Sequence, residues 1–84
     1  MFEKKINVRN KIGLHSKPAT YFVKKANGYK SSIMVYKNTE CANAKSLLGI
    51  LSLGIMGKDE IKISANGVDE EQAVEALIEF LEGL

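Results

Sequence analysis

This 84-residue chain has few of the residue types that staple or stiffen a small fold: one cysteine, one proline and no tryptophan. The lone Cys41 rules out an internal disulfide and a cysteine-rich zinc site, and it fits a reducing compartment. Only one histidine is present, and Cys41 has no close partner in sequence, so neither a metal site nor a cofactor is expected. No apolar run approaches the roughly 20 residues of a membrane span, so insertion is not expected. The N-terminus enters charged, alternating sequence without the apolar core of a signal peptide, which makes a cytoplasmic location the expectation. There is a single arginine, and the aromatics do not interleave with lysines in a stacking pattern. Direct nucleic-acid binding is therefore not expected either.

What is present describes a folded domain. Hydrophobic content is 45% and charged content 26%, in the range of globular chains. The length allows one domain, 1–84, with an economical core. The net charge of +2 hides an asymmetry. Ten lysines and Arg9 stand before Asp59 against Glu3 and Glu40, whereas eight acidic residues and only Lys62 follow from Asp59 onward. The first part is suited to an acidic partner.

Periodicity predicts β-α-β-β-α-β-α. Phe2 to Val8 alternate as a strand. Ser16 reads as the cap of a helix with Pro18 in its first turn and Ala19, Phe22, Val23 and Ala26 on one face. Asn27-Gly28 ends it. Ser32 to Lys37 and Glu40 to Ala42 read as a hairpin around Asn38-Thr39, with Cys41 buried or partly buried. A short helix follows Ser46 and ends at Gly54. Glu60 to Ala65 is the clearest strand. Asp69 and Gln72 form a capping-box pattern ahead of a last helix with Ala73, Val74, Leu77, Ile78 and Leu81 on its apolar stripe. The simplest fold is two-layer α+β, an antiparallel sheet covered by helices.

Two segments carry chemistry. In Gly13-Leu14-His15-Ser16-Lys17-Pro18-Ala19-Thr20, the only histidine precedes a helix start. Free backbone donors and the positive end of the helix dipole favour an anion there. A neutral imidazole is a nucleophile and accepts a phosphoryl group on either ring nitrogen. Lys17 adds a cation, and Ser16 and Thr20 add hydroxyls. No second group suited to hydrolysis is apparent, which favours holding and passing a group over completing a reaction. Taken alone, the pattern is more often that of a surface histidine. In Lys45-Ser46-Leu47-Leu48-Gly49, Ser46 stands at a helix start, either as a cap or as an acceptor of phosphate that the helix and Lys45 would stabilise. Leu47, Leu48, Ile50 and Leu51 exceed what one face of so short a helix needs. Some of them are candidates for a docking patch.

The two segments together, with their separation and the element order, resemble the HPr family. These are the histidine-containing phosphocarriers of the bacterial phosphoenolpyruvate-dependent sugar phosphotransferase system. Gly13 to Thr20 looks like the active-site motif, and Lys45 to Gly54 looks like the regulatory-serine motif. The resemblance implies an HPr-like open-faced β-sandwich, a four-stranded antiparallel sheet covered by three helices, with the first strand beside the fourth, then the second and the third. It implies a carrier rather than a stand-alone enzyme. His15 would take a phosphoryl group on Nδ1 from phosphorylated enzyme I and give it to EIIA components of sugar permeases. Leu47, Leu48, Leu51 and Thr20 would contribute to docking. Ser46 would be phosphorylated by an HPr kinase/phosphorylase, lowering transfer and favouring a catabolite-control transcriptional regulator. The alternative is a regulatory paralogue acting mainly as a binding module for that regulator. One departure stands out: the family motif usually has arginine where this chain has Lys17, which lacks the planar fork that grips phosphate in two places.

Overall fold

The structure is a computed structural model that describes residues 1–9, 13–14 and 16–84. Its elements are β1 (Phe2–Asn7), α1 (Ser16–Asn27), β2 (Ser32–Lys37), β3 (Glu40–Asn43), α2 (Leu47–Leu53), β4 (Glu60–Asn66) and α3 (Glu70–Glu82). The four strands form one sheet in the order β1-β4-β2-β3, and every neighbouring pair is antiparallel.

The alternation along the strands sets the two faces. Ile33 and Val35 of β2 and Ile61, Ile63 and Ala65 of β4 are buried. They meet the apolar stripes of the helices: Ala19, Phe22 and Ala26 from α1, Ile50 and Leu53 from α2, and Ala73, Val74, Leu77 and Leu81 from α3. Each fully buried Ile, Leu or Phe here contributes about 1.5–3 kcal/mol relative to exposure. Phe22 and Phe80 tie α1 to α3, with ring centroids 6.3 Å apart and planes tilted by 56°. β4 carries the register: Ile61 sits opposite Ile6, and Ile63 lies between Lys4 and Val35. Lys4 breaks the apolar pattern of β1 without entering the core. Its ammonium lies 5.7 Å from the Phe2 ring centroid and reaches Glu75 of α3 at 3.3 Å, so the stem packs while the charge stays in water.

Two local expectations are corrected. Cys41 is exposed, because β3 is a short edge strand and Cys41 stands on its open side. The capping box at α3 is not formed as Asp69 to Gln72. Asp69 is the N-cap residue but makes no side-chain cap bond. Its Oδ1 instead accepts from the Ser31 hydroxyl at 2.5 Å and the Ser31 amide at 2.9 Å, and its Oδ2 accepts from the Lys30 amide at 2.9 Å. Glu70 takes over the reach-back, its Oε1 accepting from the Gly67 amide at 3.1 Å.

Candidate functional site

Gly13 and Leu14, which precede the single histidine, are held against the residues that follow α2. Gly13 has φ 77 and is buried, and a Cβ there would lie 2.7 Å from Met56 Cα. Only glycine adopts this backbone against so close a neighbour without strain. Leu14 donates its amide to Ile55 O at 2.9 Å and buries its side chain. Asn10, Lys11, Ile12 and His15 lie outside the described residues. The expectations for the His15 ring and for most of the preceding loop therefore fall there.

α1 begins at Ser16, immediately after the histidine. Ser16, the expected cap, is the residue at which α1 opens, and its φ of 56 lies outside the helical region. A non-glycine residue in the left-handed region costs of order 1 kcal/mol or more, and such costs gather at functional positions. Pro18 follows in the first turn, where its missing N–H is not required. Lys17 is exposed, with no ion-pair partner among the described residues. Thr20 is exposed, but its hydroxyl donates to Ser16 O at 3.3 Å, so it serves its own helix.

The second segment behaves as its sequence suggests. Ser46 is the N-cap of α2, its Oγ accepting from the Gly49 amide at 3.1 Å. Lys45 does not face the serine as anticipated. Its Nζ donates to Tyr29 O at 2.7 Å, and its carbonyl accepts from Asn27 Nδ2 at 3.2 Å. Those bonds fasten the start of α2 to the end of α1.

α2 then sorts its apolar residues into two sets. Ile50 and Leu53 enter the core. Leu47 is 39% exposed, Leu48 77% and Leu51 41%, so all three present apolar surface to water. Met56 and Tyr21 are also largely exposed, and sequence reasoning did not single them out. The signals were present. Ile55 and Met56 are consecutive apolar residues just past the Gly54 cap and cannot both point inward. Tyr21 falls off the Ala19-Phe22-Val23-Ala26 stripe.

The fold brings together some of these residues and separates others. The Leu14 amide is bonded to Ile55, two residues past the end of α2, so the histidine segment adjoins the C-terminal end of the leucine-bearing helix. Ser46 is at the other end, about 10 Å away along a seven-residue helix at 1.5 Å per residue. The turn between α2 and β4 is held by Asp59, whose Oδ2 accepts from the Met56 amide at 2.7 Å and meets Lys37 Nζ at 3.0 Å. The Met56 amide, and then Lys37, hold the Asp59 carboxyl below its ordinary pKa. Among the described residues, no group of His, Cys, Asp and Glu is gathered as a metal site would require. Nor is any helix there long and apolar enough to cross a membrane.

Comparison with known proteins agrees over nearly the whole chain. The family model described as "PTS HPr component phosphorylation site" matches residues 2–83. The HPr-like protein Crh of Halalkalibacterium halodurans is 43% identical over 82 residues, 98% of each chain. The phosphocarrier protein HPr of Buchnera aphidicola is 43% identical over 81 residues, 96% of this chain and 95% of that one. The crystal structure of HPr-C-His from Thermoanaerobacter tengcongensis superposes with a TM-score of 0.96 at 44% identity. It covers 99% of this chain and 93% of the other.

Proposed function

Because this chain belongs to the HPr family, we propose that it is a single-domain phosphocarrier that takes a phosphoryl group on His15 from phosphorylated enzyme I and passes it to EIIA domains. The observation that carries this reading is the match of a phosphorylation-site family model across residues 2–83, in a chain whose one histidine directly precedes α1. In the first transfer, the Nδ1 lone pair forms a bond to phosphorus while the bond to the donor breaks and its electrons leave with the donor. In the second, the P–Nδ1 bond breaks and the acceptor takes the group. The amides of the first turn of α1 supply donors for the phosphoryl oxygens, and Lys17 supplies a mobile cation. Leu47, Leu48 and Leu51 supply the apolar centre of the docking face, with Thr20 on the neighbouring helix. The lysine-rich first part suits acidic partners. The transfers take place in the cytoplasm.

Ser46 is the regulatory site in this reading, phosphorylated by an HPr kinase/phosphorylase. A phosphate there meets the start of α2 and adds charge beside Leu47. A second reading has its own support in the similarity to the HPr-like protein Crh: a regulatory module whose main partner, once Ser46 is phosphorylated, is a catabolite-control transcriptional regulator. Incubation with phosphoenolpyruvate and a cognate enzyme I distinguishes the two. Acid-labile phosphate on His15, transferable to an EIIA domain, is the expected result. Absence of transfer alongside efficient Ser46 phosphorylation would establish the regulatory module instead.

A further inference from the structure

The ion pair between Lys37 and Asp59 is tied to the turn that follows α2. Lys37 ends β2, and its side chain is only 20% exposed. Its Nζ donates to Gly54 O at 2.7 Å and lies 3.0 Å from Asp59 Oδ2. The same carboxylate oxygen accepts from the Met56 amide at 2.7 Å. One pair of side chains therefore fixes Gly54, Met56 and Asp59, which together shape the turn between α2 and β4.

That turn bonds to described residues on both sides of positions 10–12. On the incoming side, the Val8 amide donates to Asp59 O at 2.8 Å and the Lys58 amide donates to Val8 O at 2.5 Å. On the outgoing side, the Leu14 amide donates to Ile55 O at 2.9 Å, and Gly13 is packed against Met56. Leu14 is joined to His15 by one peptide bond. An exposed ion pair is ordinarily worth little, but breaking this one also leaves a carbonyl and an amide of the turn with weaker partners.

We propose that Lys37 and Asp59 are positioning residues for phosphoryl transfer: they fix the 54–59 turn, whose backbone holds Val8 and Leu14, the described residues on the two sides of the segment leading to the histidine. The proposal rests on the phosphocarrier reading above. It predicts a larger effect on the transfer step than on docking, since of the three docking leucines Leu47 and Leu48 lie toward the other end of α2 and only Leu51 stands near the turn.

The test compares Lys37→Met, Asp59→Asn and the conservative Lys37→Arg in two measurements. The first is the rate of transfer from phosphorylated enzyme I as a function of its concentration. The second is amide hydrogen exchange by NMR at Val8, Leu14 and Lys58, with Ile63 of β4 and Gly49 of α2 as references. For Lys37→Met the maximal transfer rate should fall roughly tenfold, with half-saturation changed less than about twofold, as for a misplaced reacting group. Exchange at Leu14 and Lys58 should quicken while Ile63 and Gly49 stay unchanged. Asp59→Asn keeps an acceptor for the Met56 amide and should show the same pattern more weakly. Lys37→Arg should restore both readouts. An unchanged transfer rate in Lys37→Met overturns the proposal, as does quickened exchange spread evenly over all five amides. Should the unaltered protein accept no phosphate on His15, the phosphocarrier reading fails. The exchange arm then still decides whether the pair holds the loop.

Discussion

Lys17 is where this chain leaves the pattern it otherwise resembles. An arginine at the start of α1 would offer a planar fork able to hold two phosphoryl oxygens, whereas an ammonium offers a compact point charge. Lys17 is exposed and, among the described residues, has no ion-pair partner, so exchanging it disturbs no structural bond. Lys17→Arg is expected to leave thermal unfolding unchanged within about 0.5 kcal/mol and to raise the transfer rate from a standard enzyme I; an unchanged or lower rate overturns this account of Lys17. Gly13 is the opposite case, fixed by backbone rather than charge. With φ 77 and Met56 Cα 2.7 Å from where a Cβ would be, Gly13→Ala should cost about 2 kcal/mol or more in urea unfolding. It should also slow transfer, because the turn must shift to make room. The helix that follows the histidine segment could be read from residue types and their order. The φ of Ser16 could not, since nothing in serine itself demands a left-handed backbone.

At the scale of elements, the start of α2 was more legible than the start of α3, for one physical reason. The cap of α2 is local: Ser46 and Gly49 are three residues apart, and Gly54 closes the helix with φ 60, its amide donating to Leu51 O. Local spacing predicts such bonds well. The start of α3 is governed by a partner far away, since Asp69 is drawn to Ser31 across 38 positions and makes no side-chain cap bond. The same holds for Lys45, whose tie to Tyr29 O is invisible in the motif around Ser46. Because the Ser46 bond is a simple cap, Ser46→Ala should destabilise the protein by about 1 kcal/mol in urea. Ser46→Asp keeps an acceptor at the cap and should hold stability while lowering transfer through His15. Leu48, 77% exposed, separates docking from folding: Leu48→Ala should change stability by less than about 0.5 kcal/mol. It should nevertheless weaken the complex with enzyme I by roughly tenfold in titration calorimetry, the effect of losing an apolar contact near an interface centre.

Across the whole molecule, the strand order β1-β4-β2-β3 places the last strand in the middle of the sheet, so the fold is complete only when the C-terminal part is in place. Asp69 is the clearest long-range fastener in that arrangement. It stands where β4 leads into α3, and it holds the amides of Lys30 and Ser31 where α1 leads into β2. The hydrogen bond from the Ser31 hydroxyl, then the Lys30 amide, lower its pKa from an ordinary 3.8 to about 2. A carboxyl whose pKa is depressed by folding stabilises the folded state fully above its unfolded value and loses that contribution as pH falls through its folded value. Stability should therefore decline between about pH 4 and pH 2. Asp59 and Glu70, also depressed, add to the same acid limb. Asp69→Asn should thus lower the unfolding temperature at neutral pH and flatten, without abolishing, its fall across that acid window in calorimetry. An undiminished slope would mean that the acid limb belongs to the other two carboxyls, and that the bonds joining the two helix junctions contribute no pH-dependent stability.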